Sequence, residues 1–465
     1  MDITLDFSAL IEASQQNPAV FLWYLFVRVG WFPVLFILGK YFWDIRLKNL
    51  QHHYLHSIPF TLLAIDVPKL NEQSSKAVEQ IFAQLGGAAS GANLIEKYLK
   101  GKVQESFSLE LISLNGYIQF LIRTPTYFRD LVEAAVYAQY PDAEITEVED
   151  YVTSLPRSYP SEDYELWGTE LKLVKPDCYP IRTYPSFEHA LTQKYADPMA
   201  AVLEIMSHLG PGENLMMQWV ITPGDDHWKE HAEKEVKKLI GAKVEHKESL
   251  YSQAMKGVNA ITGNITEVMT YGIGSTPVEA HGAEVANHEP HSLITFLSPG
   301  ERAVVEAIEI KMTKMAYHVK PRIIYLAKRE VYNKAKGVAG ALGALQQYSA
   351  LNLNGFAPIK KITTAVNYFM IKRRVAERQR KIAKAFRERN SHAGWGHGII
   401  LNIEELATVW HFPVSPVKSP LVKTSETKRG EPPVGLPVEG MDALLVPKEI
   451  RTEESHESPP DNLPV

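Results

Sequence analysis

The sequence predicts an α+β protein: an N-terminal transmembrane helix, then two ferredoxin-like (βαββαβ-type) units, the second elaborated, and a disordered C-terminal tail. Three observations predict it. A predominantly apolar run fills residues 19–39. Helical and alternating apolar periodicities follow each other in the order β-α-β-β-α-β between residues 57 and 155. A polar, proline-punctuated stretch occupies the end of the chain after Pro413.

The run from Ala19 to Gly39 reads AVFLWYLFVRVGWFPVLFILG. About 20 apolar residues suffice to cross a bilayer as a helix. Arg28 interrupts the run and costs roughly 2.5–3.5 kcal/mol at a bilayer centre, which the surrounding apolar side chains offset. No positive segment precedes it, which argues against a cleaved signal peptide. Lys40, Arg46 and Lys48 follow, so the positive-inside rule puts residues 1–18 outside and the bulk of the chain in the cytoplasm. The expectation is a single-pass protein of the cell membrane, with helix and interface over 19–43.

The first soluble unit spans 57–155. Ile58 to Asp66 is a strand, and Gln73 to Leu85 a helix with Val78, Ile81, Phe82 and Leu85 on one face. Phe107, Leu109 and Leu111 alternate; Asn115-Gly116 marks a hairpin turn, and Tyr117 to Arg123 returns as the partner strand. Tyr127 to Gln139 is helical, Tyr140-Pro141 stops it, and Ala143 to Val148 closes the unit.

The second unit spans 164–403. Strands are expected at 166–174, 215–222, 319–327 and 399–403, and helices from Pro198 to Leu209, Asp225 to Ile240, from Pro299, and from Glu330 to Tyr348. Ser298 and Glu301 form a capping box. An insertion at 241–297 shows little periodicity.

Among 465 residues, 45% are apolar and 22% charged, so a large core is affordable; a net charge of -5 excludes a chain-wide nucleic-acid footprint. Cys178 is the lone cysteine, so no internal disulfide forms. No G-x-x-x-x-G-K-[ST] loop exists. Gly337, Gly340 and Gly343 mark close helix packing. His52, His53 and His56, the His227/His231/Glu235 face, and His281, His288 and His291 among Glu279, Glu284 and Glu289 lack a complete ligand set or catalytic base, and read as solvated positions. No catalytic, metal or cofactor site is expected.

One local charge signal remains. IKRRVAERQRKIAKAFRER, Ile371 to Arg389, carries Lys372, Arg373, Arg374, Arg378, Arg380, Lys381, Lys384, Arg387 and Arg389 against Glu377 and Glu388. Ile371, Val375, Ile382 and Phe386 share one helical face, giving a basic amphipathic helix. It suits anionic lipid, nucleic-acid phosphates, an acidic partner, or a solvated face on a packed helix.

Four stretches occur in order: VPKLNEQSSKAVEQIFAQL (67–85), EAAVYAQYPDAEITEVEDY (133–151), YPIRTYPSFE (179–188) and NIEELATVWHFP (402–413). They resemble the N-terminal region of a bacterial family of membrane-anchored proteins related to conjugation and type IV secretion ATPases. In that family a similar ELAT…WHFP segment precedes a P-loop motor. The resemblance implies a non-catalytic platform that assembles with a separate P-loop ATPase in DNA or protein transfer, and a homo-oligomer is compatible with it. It implies partner docking by Glu404, Glu405, Leu406, Trp410, His411 and Phe412, with 404–465 as a disordered linker to a motor on another chain. The rival expectations are a membrane-associated nucleic-acid- or anionic-lipid-binding protein acting through 371–389, and a membrane enzyme with an unrecognised site.

Overall fold

The computed structural model describes residues 31–68, 71, 73–187, 197–224, 226–241, 297–389, 391 and 398–414. Its frame is one antiparallel sheet. The strands are β1 (Phe60–Asp66), β2 (Phe107–Leu114), β3 (Tyr117–Pro125), β4 (Glu144–Glu147), β5 (Tyr164–Leu173), β6 (Glu213–Pro223), β7 (Ala316–Lys328), β8 (Phe356–Pro358) and β9 (Ile399–Asn402). Their order is β4-β1-β3-β2-β6-β7-β5-β8, nine strands in all, with β9 pairing the first part of β7. The described helices are α1 (Trp31–Ser57), α2 (Ser75–Leu85), α3 (Arg129–Gln139), α4 (Ala200–Ser207), α5 (His227–Leu239), α6 (Pro299–Thr313), α7 (Gly340–Leu345), α8 (Ile371–Glu388) and α9 (Ile403–Val409).

The sheet is a seam between two similar paths. β4-β1-β3-β2 forms one half, and β8-β5-β7-β6 repeats the same path in the other. The halves join where β2 pairs β6, from Phe107↔Ile221 to Leu114↔Asn214. The β2–β3 turn fixes this junction. Asn115 and Gly116 both take positive φ, 54° and 89°, the geometry of a tight hairpin turn. Asn115 Oδ1 accepts from Gly212 N at 2.7 Å, just ahead of β6. A Cβ on Gly116 would lie 2.5 Å from the Leu209 carbonyl oxygen, so only glycine fits there.

Both faces of the sheet are covered. On one, Val78, Ile81 and Phe82 of α2, Val132 and Val136 of α3, Leu203 and Met206 of α4, and Leu406 of α9 pack on Leu63, Leu109, Ile122, Met217 and Tyr325. On the other, Ile382, Ala383 and Phe386 of α8 pack on Leu62, Ile112, Leu166, Met216 and Ile324. The same face carries a row of directly opposed polar residues. Glu110, Gln218, Arg322 and Glu170 face one another in register across β2, β6, β7 and β5. Gln218 donates to Glu110 at 3.2 Å, Arg322 donates to Gln218 Oε1 at 3.1 Å, and Arg322 Nε donates to Glu170 at 2.9 Å.

The α+β expectation, a transmembrane helix followed by two ferredoxin-like units, is corrected. The fold is mixed α/β on one nine-stranded antiparallel sheet, and among the described residues no helix is long and apolar enough to cross a membrane. The reason lies in α1 itself. Within the described residues it runs from Trp31 past Gly39 through Lys40, Asp44, Arg46 and Lys48 to Ser57, so the apolar part of its described length is short. The single-pass membrane assignment over 19–43 is withdrawn with it; residues 19–30 lie outside the described residues. The expected tail is also corrected at its start, because Ile403–Val409 is helical and residues 404–412 are almost wholly buried. The remainder of the tail, from 415, and residues 242–296 of the insertion lie outside the described residues.

Candidate functional site

The basic helix α8 is built by two kinds of contact. Its apolar side presses on β5 at Gly168, where a Cβ would stand 3.2 Å from Ile382 Cγ1. Gln379 Nε2 then donates to the Leu166 carbonyl at 2.9 Å. At the C-terminus Arg389 takes φ 48°, which ends the helix and turns its guanidinium under the sheet. There Nε donates to Glu110 Oε1 at 2.6 Å, and the two terminal nitrogens reach Asp150 at 2.5 and 2.8 Å. Burial pushes the Glu110 carboxyl up, but the Arg389 charge and hydrogen bonds from Arg389, Ser108 and Tyr151 outweigh it and hold its pKa below the ordinary value. Asp150 is likewise held low, burial being outweighed by Arg389.

The cations that the sequence groups together separate into two sets. Arg374, Arg378, Arg380 and Arg387 tie loops to the helix. Arg378 donates to the carbonyls of Lys360, Thr363 and Ala365 at 3.1, 2.6 and 2.9 Å. Arg380 donates to Tyr159 O at 3.0 Å, Arg387 to Arg157 O at 2.7 Å and to Pro156 O, and Arg374 to Tyr368 O at 2.9 Å. A planar fork of several donors suits such carbonyl clusters better than an ammonium does. Lys372, Arg373, Lys381 and Lys384 instead face solvent. Lys381 pairs with Glu377 at 2.6 Å and Lys384 with Glu388 at 3.6 Å, exposed one-turn pairs of little energetic weight.

The helix begins from an unusual turn. Phe369 and Met370 are consecutive non-glycine residues at positive φ, 37° and 49°. Tyr368 and Phe369 are 80% and 81% exposed, and Met370 and Ile371 about half exposed. Phe369, Met370, Ile371, Lys372 and Arg373 line a shallow depression of about 460 Å³. Tyr368, Phe369 and Met370 were not singled out from the sequence; the signal available was the aromatic pair directly before MIKRR.

The residues expected to dock a partner lie inside the chain. Asn402 caps α9, accepting from Glu405 N at 2.8 Å, while Glu405 Oε2 accepts from Asn402 N at 2.9 Å. Glu405 also meets the Lys311 ammonium at 2.9 Å, with both side chains fully buried. Burial pushes the Glu405 carboxyl up, against the pull of Lys311. Glu404 and Glu79 share the Lys314 ammonium. Leu406 and Trp410 are fully buried; Trp410 stands 5.8 Å from Phe120 and 5.2 Å from Phe412, centroid to centroid. His411 Nε2 sits 2.9 Å from Asp197 Oδ1.

Other histidine positions stay apart from any site. His52 and His56 lie one turn apart on exposed α1, and His227 and His231 on exposed α5. His281, His288 and His291 lie outside the described residues. Among the described residues no group of three or more His, Cys, Asp or Glu side chains is placed to hold a metal. Gly337 packs on the Tyr325 ring and Gly340 on Ile205, too closely at Gly337 for any Cβ. Cys178 is buried, and burial pushes its thiol up.

Fold and site together define a mixed α/β sheet protein that carries a basic helix, half structural and half outward-facing, across one face of its sheet. The chain belongs to the family described as Domain of unknown function (DUF8128), which matches residues 92–425 and so includes β2 to β9 and α8. No curated protein matches the chain.

Proposed function

We propose that this protein is a non-catalytic binding module that holds nucleic acid by its phosphates along the outer face of α8. The supporting observation is the outward stripe Arg373, Lys381 and Lys384, with Lys372 beside it on the first turn, all left free of the backbone contacts that occupy the neighbouring arginines. Lys372 and Lys384 lie ~18 Å apart along the helix axis. In a chain of net charge -5 such a stripe is a local feature, not a by-product of composition. Fluorescence anisotropy with a labelled oligonucleotide, titrated across salt, tests the reading. Four phosphate contacts predict a slope of log K against log salt of roughly -3 to -4. The quadruple reversal Lys372→Glu, Arg373→Glu, Lys381→Glu, Lys384→Glu should abolish binding; unchanged affinity in that variant, or binding indifferent to salt, sinks it.

The resemblance of the four ordered stretches to the conjugation and type IV secretion family supports a more specific setting, in which the module assembles with a separate P-loop ATPase. The partner surface in that setting lies elsewhere than 404–412. Co-purification of tagged full-length protein with gentle crosslinking should recover such an ATPase, and an eluate without one counts against the setting.

A further inference from the structure

Resting on that reading, we infer that the turn Tyr368–Ile371 is a base-stacking platform, so that the nucleic acid held by α8 is single-stranded. The turn shows its aromatics to solvent by construction. Phe369 and Met370 both occupy left-handed backbone, which is unfavourable for non-glycine residues and persists only where surroundings impose it. The surroundings are explicit: Arg374 N donates to Met370 O at 3.0 Å, and the Arg374 guanidinium donates to Tyr368 O at 2.9 Å. An arginine on the basic helix is thus spent on holding two aromatic rings outward.

The chemistry beside the turn matches one kind of ligand. The shallow depression has Phe369, Met370 and Ile371 as its apolar part and Lys372 and Arg373 at one edge. An unpaired nucleotide offers a flat π-face and a phosphate together. A duplex keeps its base faces stacked inside and offers only phosphates. An anionic lipid surface also combines apolar and charged recognition, but an interfacial helix needs an apolar face along its length. The apolar face of α8, Ile382, Ala383 and Phe386, is already packed on the sheet.

The test compares three labelled probes of equal length in anisotropy titrations: single-stranded oligo-dT, a blunt duplex, and an abasic strand that keeps the phosphates and lacks the bases. The full-length protein should bind oligo-dT about tenfold more tightly than either other probe, as one stacked base is worth. Tyr368→Ala/Phe369→Ala should lose that preference and keep its salt slope, with an unchanged melting temperature showing that it folds. The quadruple charge reversal should lose all three probes. Equal binding of the three probes by the unmodified protein, or a preference that survives the double alanine variant, overturns the inference while leaving phosphate binding standing. Absence of binding to every probe overturns both. Co-sedimentation with phosphatidylserine vesicles, lost in the alanine variant and paired with no oligo-dT preference, would overturn it in favour of lipid.

Discussion

Two short segments of this protein are alike in composition and opposite in fate. Asn402 to Pro413 and Asn367 to Arg374 each set aromatic rings beside charged side chains. In the first, Trp410, His411 and Phe412 are at most 1% exposed; in the second, Tyr368 and Phe369 are almost fully exposed. The difference lies in distant partners. Lys311, Lys314 and Asp197 come from elsewhere in the chain to meet Glu405, Glu404 and His411. Among the described residues nothing comparable covers Tyr368 and Phe369, and Arg374 holds their turn from below. Buried charge needs a pair, so the pairing decides which aromatic segment becomes core.

Breaking the buried side of that contrast should cost most. Trp410→Ala removes a fully buried ring and should lower unfolding free energy by about 3–5 kcal/mol in urea denaturation; a loss under about 1 kcal/mol would show that the segment is not core. Arg389→Met strands the buried Glu110 carboxylate and should cost about 3 kcal/mol at neutral pH. Its pH dependence sharpens the point. In the unmodified protein Glu110 and Asp150 have depressed pKa values, so their stabilisation is complete above the ordinary carboxylate range, about 4, and is lost as pH falls through their lower folded values. In Arg389→Met burial acts on Glu110 without Arg389 to oppose it, so the deficit relative to the unmodified protein should shrink as pH falls from 7 to 3. Urea midpoints at several pH values would read this, and a constant deficit would refute it. Asn402→Ala removes a buried cap of α9 and should cost about 1 kcal/mol. Phe369→Ala, on the exposed side, should change stability by less than about 0.5 kcal/mol; a melting temperature lowered by several degrees would mean the turn is packed after all.

Elements with local signatures were legible in the sequence. The Asn115-Gly116 turn, the Ser298–Glu301 capping box and the periodicity of α2 and α3 all appear where their residues place them. Features that depend on remote partners were not. β8 is three residues long and exists because Leu171 to Leu173 offer it an edge. The docking role expected of 404–412 rested on a motif whose carboxylates looked free, since their lysines lie 90 or so residues earlier. The apolar run ending at Gly39 resembled a membrane span, yet helix α1 runs on through four charged residues between Lys40 and Lys48. Within α8 the charge count was legible, but its division between four loop-holding arginines and the outward cations Lys372, Arg373, Lys381 and Lys384 was not, because backbone carbonyls of other segments make that division.

The polar row Glu110, Gln218, Arg322 and Glu170 has a consequence for how the chain finds its fold. A two-sided sheet with apolar residues on both faces tolerates strand slippage poorly discriminated by hydrophobicity alone. β6 is such a strand, buried along nearly its whole length. A slip of one residue in β6 would carry Gln218 to the opposite face and remove the partner that Glu110 and Arg322 share, breaking the row between its two halves. The row therefore acts as a key with four teeth that fits in only one alignment of the two halves.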